Sequence, residues 1–206
     1  MEIQTQVQEN TKELIQQGLT SAMSYQAYRE LVAEYAETGQ TTGEDQTESL
    51  IQYTVLNNAR MRRLDKTIRI PEEISKKLTA FQGNITWLVL TESWCGDASQ
   101  SMPAMNALAN LADGIDFKVI LRDEHPELMG QFLTNNARSI PKLLVWDDDK
   151  EEVVATWGPR PSIATQMVHD YKEQHGKLTA EFKKDLQVWY NKDKSQNIIE
   201  DLSELL

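Results

Sequence analysis

Apolar residues recur every three or four positions through the first 65 residues. The spacing is clearest in one set of four: Tyr28, Leu31, Val32 and Tyr35. It returns after the glycine-containing segment 39–43, and no proline interrupts it. Such spacing is typical of amphipathic helices that bury one face. We therefore predict that residues 1–65 form an N-terminal helical extension of two or three helices.

From Lys66 onward, short strand-like runs alternate with helical patterns. A short alternating stretch, TIRI, occupies 67–70. NITWLVL at 84–90 is almost continuously apolar, as expected for a strand covered on both faces. Further strands are predicted at 115–121 and as a hairpin within 142–157. Helices are predicted between and after the strands, and their ranges are 71–81, 99–114, 125–136 and 162–176.

This order predicts an α/β fold in which a mixed sheet carries helices on both faces. The sheet domain would span residues 66–176. The remaining residues, 177–206, show one or two more helical patterns and are interpreted as a C-terminal helical extension.

The charge balance changes the range of expected partners. Lys and Arg number 21 and Asp and Glu number 32, which gives a net charge of −11, and no basic cluster stands out. Nucleic acid and anionic membranes are therefore not expected as partners. The sequence has no basic leader with an apolar run and no stretch of eighteen apolar residues, so we expect a cytoplasmic protein.

The single cysteine, Cys95, lies at the end of a predicted buried strand and the start of a predicted helix. One cysteine cannot form an internal disulfide. The first turn of a helix favours a thiolate and lowers its pKa. Trp94 and Gly96 flank the cysteine and suggest a turn. We therefore expect an exposed, reactive thiol rather than a small buried apolar side chain.

The surrounding residues resemble a known family. Residues 93–98, SWCGDA, are similar to the active-site loop of thioredoxin-like proteins, whose usual pattern is W-C-x-x-C at a strand-to-helix junction. Pro103 lies where that family has a proline that kinks the helix, and Ile140-Pro141 lies at the place of its cis-proline. Trp157-Gly158 resembles the glycine of its last strand before the terminal helix. The resemblance covers about residues 66–175 and implies a thioredoxin-like three-layer α/β/α fold.

The resemblance also implies roles for individual residues. Cys95 would be the nucleophile, and Pro141 would limit access to it. The backbone of Ile140 would pair with an extended peptide. Trp94 and Gly96 would complete the substrate-binding surface. The substrate would be a protein disulfide or a low-molecular-weight thiol, and no cofactor is implied.

Two positions depart from the family pattern. Ala98 stands where the second, resolving cysteine would be, so a dithiol cycle within one chain is impossible. Val89 stands where the family commonly buries an aspartate. Glu92 and Asp97 flank the cysteine, and their negative charges would oppose formation of the thiolate. Arg138 is the nearest expected counter-charge.

Three hypotheses remain open. In the first, Cys95 forms a mixed disulfide that an external thiol resolves. In the second, the protein is a redox-inactive module that binds a peptide or protein, with the helical extensions as the partner surface. In the third, two subunits each contribute one thiol to a reductase.

No metal site is predicted. The three histidines lack the spacing of metal ligands, and the acidic run 147–149 is interpreted as a solvated hairpin turn.

Overall fold

A mixed β-sheet forms the centre of the protein in the computed structural model, which describes residues 2–206 and the side chains from residue 9 onward. Its strands lie in the order β1-β3-β2-β4-β5. β2 and β3 are parallel, and the other neighbouring pairs are antiparallel. The strand bounds are β1 Met23–Ser24, β2 Ile85–Thr91, β3 Ile115–Leu121, β4 Lys142–Asp147 and β5 Glu152–Trp157.

Helices cover both faces of this sheet. Their bounds are α1 Glu2–Ser21, α2 Tyr25–Thr38, α3 Glu48–Thr67, α4 Glu72–Thr79, α5 Gly96–Ala109, α6 Pro126–Gln131, α7 Ser162–His175, α8 Ala180–Asp193 and α9 Gln196–Ser203, with a short 3₁₀ helix at Arg122–Glu124. None of the helices in residues 2–206 combines the length and the apolar character that a membrane-spanning segment needs.

The alternation of side chains along the central strands explains the three layers. Gly18 of α1 approaches Ile120 of β3 and Leu128 of α6, so α1 and α6 share one face of the sheet. On the opposite face, the ring of Tyr25 lies 5.8 Å from that of Phe117, which places α2 there. α2 contacts α3, and α3 contacts α5. All seven residues of β2 are buried, and the predicted three-layer α/β fold is confirmed.

The N-terminal helices are more closely joined to the sheet than the sequence suggested. β1 pairs with β3, and four fully buried side chains from α1, α2 and α3 belong to the common hydrophobic core: Ile15, Tyr28, Val32 and Met61. The alternating stretch 67–70 forms no strand, because α3 continues to Thr67 and the backbone beyond it is irregular. The N-terminal segment thus contributes an edge strand and core residues.

One predicted helix is shorter than expected. The helix predicted over 125–136 ends at Gln131. Asn135 and Asn136 have φ values of 51° and 60°, in the left-handed region that asparagine tolerates better than most residues. These residues form a turn in which Thr134 and Ala137 exchange backbone hydrogen bonds.

Candidate functional site

The cysteine lies at the predicted junction between strand and helix. β2 ends at Thr91, and Cys95 is the N-cap residue of α5. Its Sγ accepts a hydrogen bond from the backbone N–H of Ala98, with a distance of 3.4 Å between sulfur and nitrogen. The sulfur therefore lies next to the unpaired N–H groups of the first helical turn.

A second loop closes over the sulfur from the other side. The Ile140-Pro141 peptide bond is cis, as the sequence resemblance predicted. The Cys95 thiol donates a hydrogen bond to the carbonyl oxygen of Ile140, at 3.2 Å. This contact places the thiol directly against the proline bend.

The prediction of an exposed thiol with a lowered pKa is wrong. Cys95 is only 6% exposed. Burial raises the pKa of its thiol to about 12, and the negative charge of Asp97 acts in the same direction. The N–H groups of Ala98 and Asp97 and the Arg160 guanidinium lower the pKa, but they do not outweigh burial. The resting sulfur is therefore a protonated thiol.

Asp97 is the centre of a charged cluster beside the cysteine. Its Oδ2 lies 2.6 Å from a terminal nitrogen of Arg160, and its Oδ1 accepts a hydrogen bond from the Tyr190 hydroxyl at 3.1 Å. Burial raises the pKa of the Asp97 carboxyl, and the Arg160 charge opposes this shift. The sequence pattern pointed to Asp97 but not to Arg160 and Tyr190, since both come from distant segments.

Arg138, the counter-charge expected from the sequence, is exposed and lines the same cavity as Cys95. Within residues 9–206 it forms no ion pair shorter than 4 Å. Arg160 is the arginine that pairs with Asp97. A tuning role for Arg138 stays a prediction.

Trp94 forms part of the cavity wall next to the cysteine. The guanidinium of Arg122 lies 4.9 Å from the centroid of the Trp94 ring, in cation–π geometry. Arg122 also pairs with Asp123 at 2.8 Å. The indole thus lies between the cysteine loop and a positive charge.

A cavity of about 760 Å³ opens beside Cys95. It brings together most of the residues predicted as site residues: Trp94, Cys95, Gly96, Asp97, Arg138 and Ile140. Pro141 is buried and is not among the lining residues. α3 and α8 add further lining residues, so both of the predicted helical extensions contribute to the cavity.

The larger part of the chain matches a known protein family. A family model described as Thioredoxin matches residues 43–173, well over half of the chain. The chain belongs to the thioredoxin family. The match begins within the predicted N-terminal extension and includes α3.

Solved structures share the fold of this thioredoxin-family chain. A protein of unknown function from Pseudomonas aeruginosa has a TM-score of 0.58 at 17% sequence identity, and the comparison covers 89% of this chain and 96% of that one. A crystal structure of an HIV epitope scaffold has a TM-score of 0.54 at 19% identity, with 89% and 97% covered. A comparison with curated proteins finds no match. Identities this low show the fold alone.

The two departures from the thioredoxin pattern lie in the interior. Val89 and Ala98 are both buried, and Ala98 offers only its backbone N–H to the sulfur. Tyr28 lies beneath this region, and its hydroxyl donates to the carbonyl of Glu92 at 3.2 Å. The Glu92 carboxylate accepts from the N–H of Asp123 at 2.9 Å, and burial raises its pKa.

A buried hydroxyl cluster positions the cysteine loop of this thioredoxin-family protein. The Ser93 hydroxyl lies within 3.0 Å of the hydroxyls of Thr41 and Thr54, and the Ser93 N–H donates to the Thr42 hydroxyl at 2.8 Å. Asn57 donates its side-chain amide to the Ser93 carbonyl at 2.9 Å. The sequence carried no signal for this cluster, because its members lie on three separate segments.

Potential metal ligands lie elsewhere. In the described part of the chain, one group of three could hold an ion, and it consists of His169, Asp170 and Glu173, all exposed on α7. The acidic run 147–149 forms the hairpin turn that its sequence indicated, with Asp147 accepting from the backbone N–H groups of Asp149 and Lys150.

Proposed function

We propose that the protein carries out thiol–disulfide exchange through Cys95 alone. The observation that carries this proposal is the position of Sγ, 3.2 Å from the Ile140 carbonyl at the proline bend and on the wall of a cavity. The cavity gives the buried sulfur a route to a bound disulfide.

The exchange balances with two reactants, a disulfide and an external thiol. The Cys95 thiol loses its proton, and the resulting thiolate attacks one sulfur of a disulfide R–S–S–R′. The S–S bond of the substrate breaks, and the R′ thiolate leaves and takes up the proton. An external thiol then attacks the mixed disulfide and releases Cys95 as a thiol. A reducing compartment such as the cytoplasm would supply that external thiol.

The protonated resting state sets the expected speed of the reaction. The thiolate is the nucleophile, and a pKa of about 12 leaves little of it at neutral pH. We therefore expect slow exchange near neutrality that accelerates as the pH rises.

In a second candidate function, the cavity binds a ligand but Cys95 exchanges no disulfide. Burial of Cys95, its raised pKa and the alanine at position 98 all favour a protein that binds a ligand or peptide without exchanging disulfides. α3 and α8, which line the cavity, would then contribute the binding surface.

Mass spectrometry separates the two candidates. The folded protein is mixed with an excess of a small disulfide over a range of alkaline and neutral pH. Exchange predicts an adduct of one half-disulfide on Cys95 that forms faster at higher pH and disappears when a small thiol is added. A folded protein that forms no adduct at any pH supports the binding module. A Cys95-linked dimer on non-reducing electrophoresis supports the two-subunit hypothesis.

A further inference from the structure

The cavity beside Cys95 is strongly basic, although the whole chain is acidic. The net charge of the protein is −11. Nevertheless, six basic side chains line this cavity: Arg60, Arg122, Arg138, Arg160, Lys183 and Lys184. Asp97 is the one acidic side chain among the described residues that line it. The local charge is therefore opposite in sign to that of the molecule.

Four of these six basic residues form no ion pair with the described part of the chain, although Arg60 donates a hydrogen bond to the side-chain oxygen of Asn57. Arg122 pairs with Asp123, and Arg160 pairs with Asp97. The other four basic residues form no ion pair shorter than 4 Å within residues 9–206. The Nε of Arg160 is buried and has no hydrogen-bond partner in that same part of the chain. The four cations without an ion pair are therefore the groups that the cavity offers to an anion.

The size and the apolar lining indicate the kind of ligand. About 760 Å³ lies within the range of roughly 300 to 1,000 Å³ that is typical of small-molecule sites. Apolar side chains from three segments share the lining with the cations: Leu50, Leu56, Trp94, Leu178 and Leu186. Such a site fits a compact molecule with charged ends and an apolar stem.

We propose that the cavity binds a low-molecular-weight disulfide that carries carboxylate or other anionic groups. Its anionic groups pair with the basic side chains, its stem packs against the apolar residues, and one sulfur meets Cys95. This inference rests on the proposed exchange function and names its substrate class. The positive lining concentrates anions at a site that the rest of the acidic surface repels.

A matched set of three aliphatic disulfides tests the charge preference. The set consists of 3,3′-dithiodipropionate, which is a dianion, bis(2-hydroxyethyl) disulfide, which is neutral, and cystamine, which is a dication. Mass spectrometry measures the rate of adduct formation on Cys95 in the folded protein. Each rate is divided by the rate of the same reagent with the urea-unfolded protein, which removes differences in leaving-group chemistry.

At low ionic strength, we expect the normalised rate for the dianion to exceed that for the dication by about tenfold or more, with the neutral reagent between them. High salt reduces this ratio because it screens the basic side chains. Equal normalised rates for the three reagents overturn the anionic substrate class and leave the exchange function standing. Failure of all three reagents to react counts against the exchange function itself.

Variants that remove positive charges test whether the basic residues of the cavity cause the preference for the anionic disulfide. The double variant Lys183→Ala, Lys184→Ala removes two exposed cations from the cavity wall, and Arg138→Ala removes a third. Each is expected to lower the ratio of dianion rate to dication rate. Lys192→Ala is the control for the loss of one positive charge, because Lys192 is exposed on the same helix as Lys183 and Lys184 and is absent from the lining. A ratio that falls equally in the control contradicts a local site.

Binding of the disulfides to a variant that cannot react with them is a measurement independent of the adduct rates. The chain has five tryptophans, so the signal of Trp94 is isolated by comparison with a Trp94→Phe version. In a Cys95→Ser variant, quenching of tryptophan fluorescence by 3,3′-dithiodipropionate should saturate, Trp94→Phe should remove this saturable component, and cystamine should quench far more weakly. Saturation by the dianion in this variant, together with a wild-type protein that forms no adducts, would support the anion site and reject exchange. Quenching that never saturates would contradict the site.

Discussion

At the scale of single residues, two opposing effects set the pKa of the Cys95 thiol. A charge at a helix N-terminus gains about 0.3–1 kcal/mol, which is less than one pKa unit at about 1.4 kcal/mol per unit. Burial can shift a pKa by several units. The direction of the shift follows from these magnitudes: burial and Asp97 raise the pKa to about 12 despite the N–H groups of α5. A position at a helix cap is therefore insufficient to activate a buried thiol.

Removing the charge of Asp97 should partly reverse this effect. Asp97→Asn keeps the size of the side chain and leaves the Arg160 charge unpaired, so the pKa of Cys95 should fall. We expect alkylation by iodoacetamide at a fixed, mildly alkaline pH to become several-fold faster, measured by mass spectrometry. Asp113→Asn is the control, since Asp113 is exposed and the change in net charge is the same. An Asp97→Asn rate equal to the wild-type rate contradicts the electrostatic explanation.

At the scale of elements, the contact between two proline-containing loops helps to shape the cavity. The Gly158-Pro159 bond is cis, like Ile140-Pro141. Gly158 has a φ of 116°, and a Cβ at this position would lie 2.1 Å from the carbonyl oxygen of Pro141. Only glycine fits this close approach without a shift of the backbone. Pro159 and Arg160, which follow it, line the cavity.

Gly158→Ala should therefore be strongly destabilising. The positive φ and the backbone clash together are expected to lower the free energy of unfolding by at least about 3 kcal/mol, measured by urea denaturation. Gly130→Ala is the matched control, because a Cβ added there would meet no atom within 4 Å and the residue lies within α6. We expect Gly130→Ala to be neutral or to stabilise by up to about 1 kcal/mol. Similar stabilities for the two variants would contradict the steric explanation.

The sequence predicted the elements that have a strong local pattern. The apolar run predicted β2, and the acidic turn predicted the hairpin of β4 and β5. The cis bond before Pro141 was predicted through the family resemblance. β1 was missed because two residues carry no periodicity. The pairing of Asp97 with Arg160 and Tyr190, and the burial of Cys95, were missed because they depend on contacts between segments far apart in the chain.

At the scale of the whole molecule, the terminal segments and the sheet share one hydrophobic core. Ile198, Ile199 and Leu202 of α9 are fully buried in it. The Asp201 carboxylate accepts from the backbone N–H of Ser162 at 2.6 Å and from its hydroxyl at 2.7 Å, which caps the start of α7. The family match ends at residue 173, yet residues beyond it line the cavity and cap a helix of the sheet domain.

The buried hydroxyl and thiol groups predict how the stability of the molecule depends on pH. Burial raises the pKa of three tyrosines and of the one cysteine: Tyr25, Tyr28, Tyr190 and Cys95. In the unfolded chain these groups ionise near pH 8.5 to 10, whereas in the folded chain they stay protonated. Their contribution to stability is therefore complete below about pH 8.5 and is lost as the pH rises. Urea denaturation should show a falling free energy of unfolding above that pH.

Tyr28→Phe tests the origin of this decline. Above the pKa that it has in the unfolded chain, each such group lowers the free energy of unfolding by about 1.4 kcal/mol for every further pH unit. The variant loses the hydrogen bond to Glu92, so at neutral pH its stability should be lower by about 0.5–1.5 kcal/mol. It also loses one ionisation, so its decline above about pH 10 should be shallower and the two curves should converge. Tyr53→Phe changes a tyrosine that is 42% exposed and should leave the slope of the wild type unaltered. Parallel curves for Tyr28→Phe and wild type would show that the alkaline decline does not arise from this buried hydroxyl.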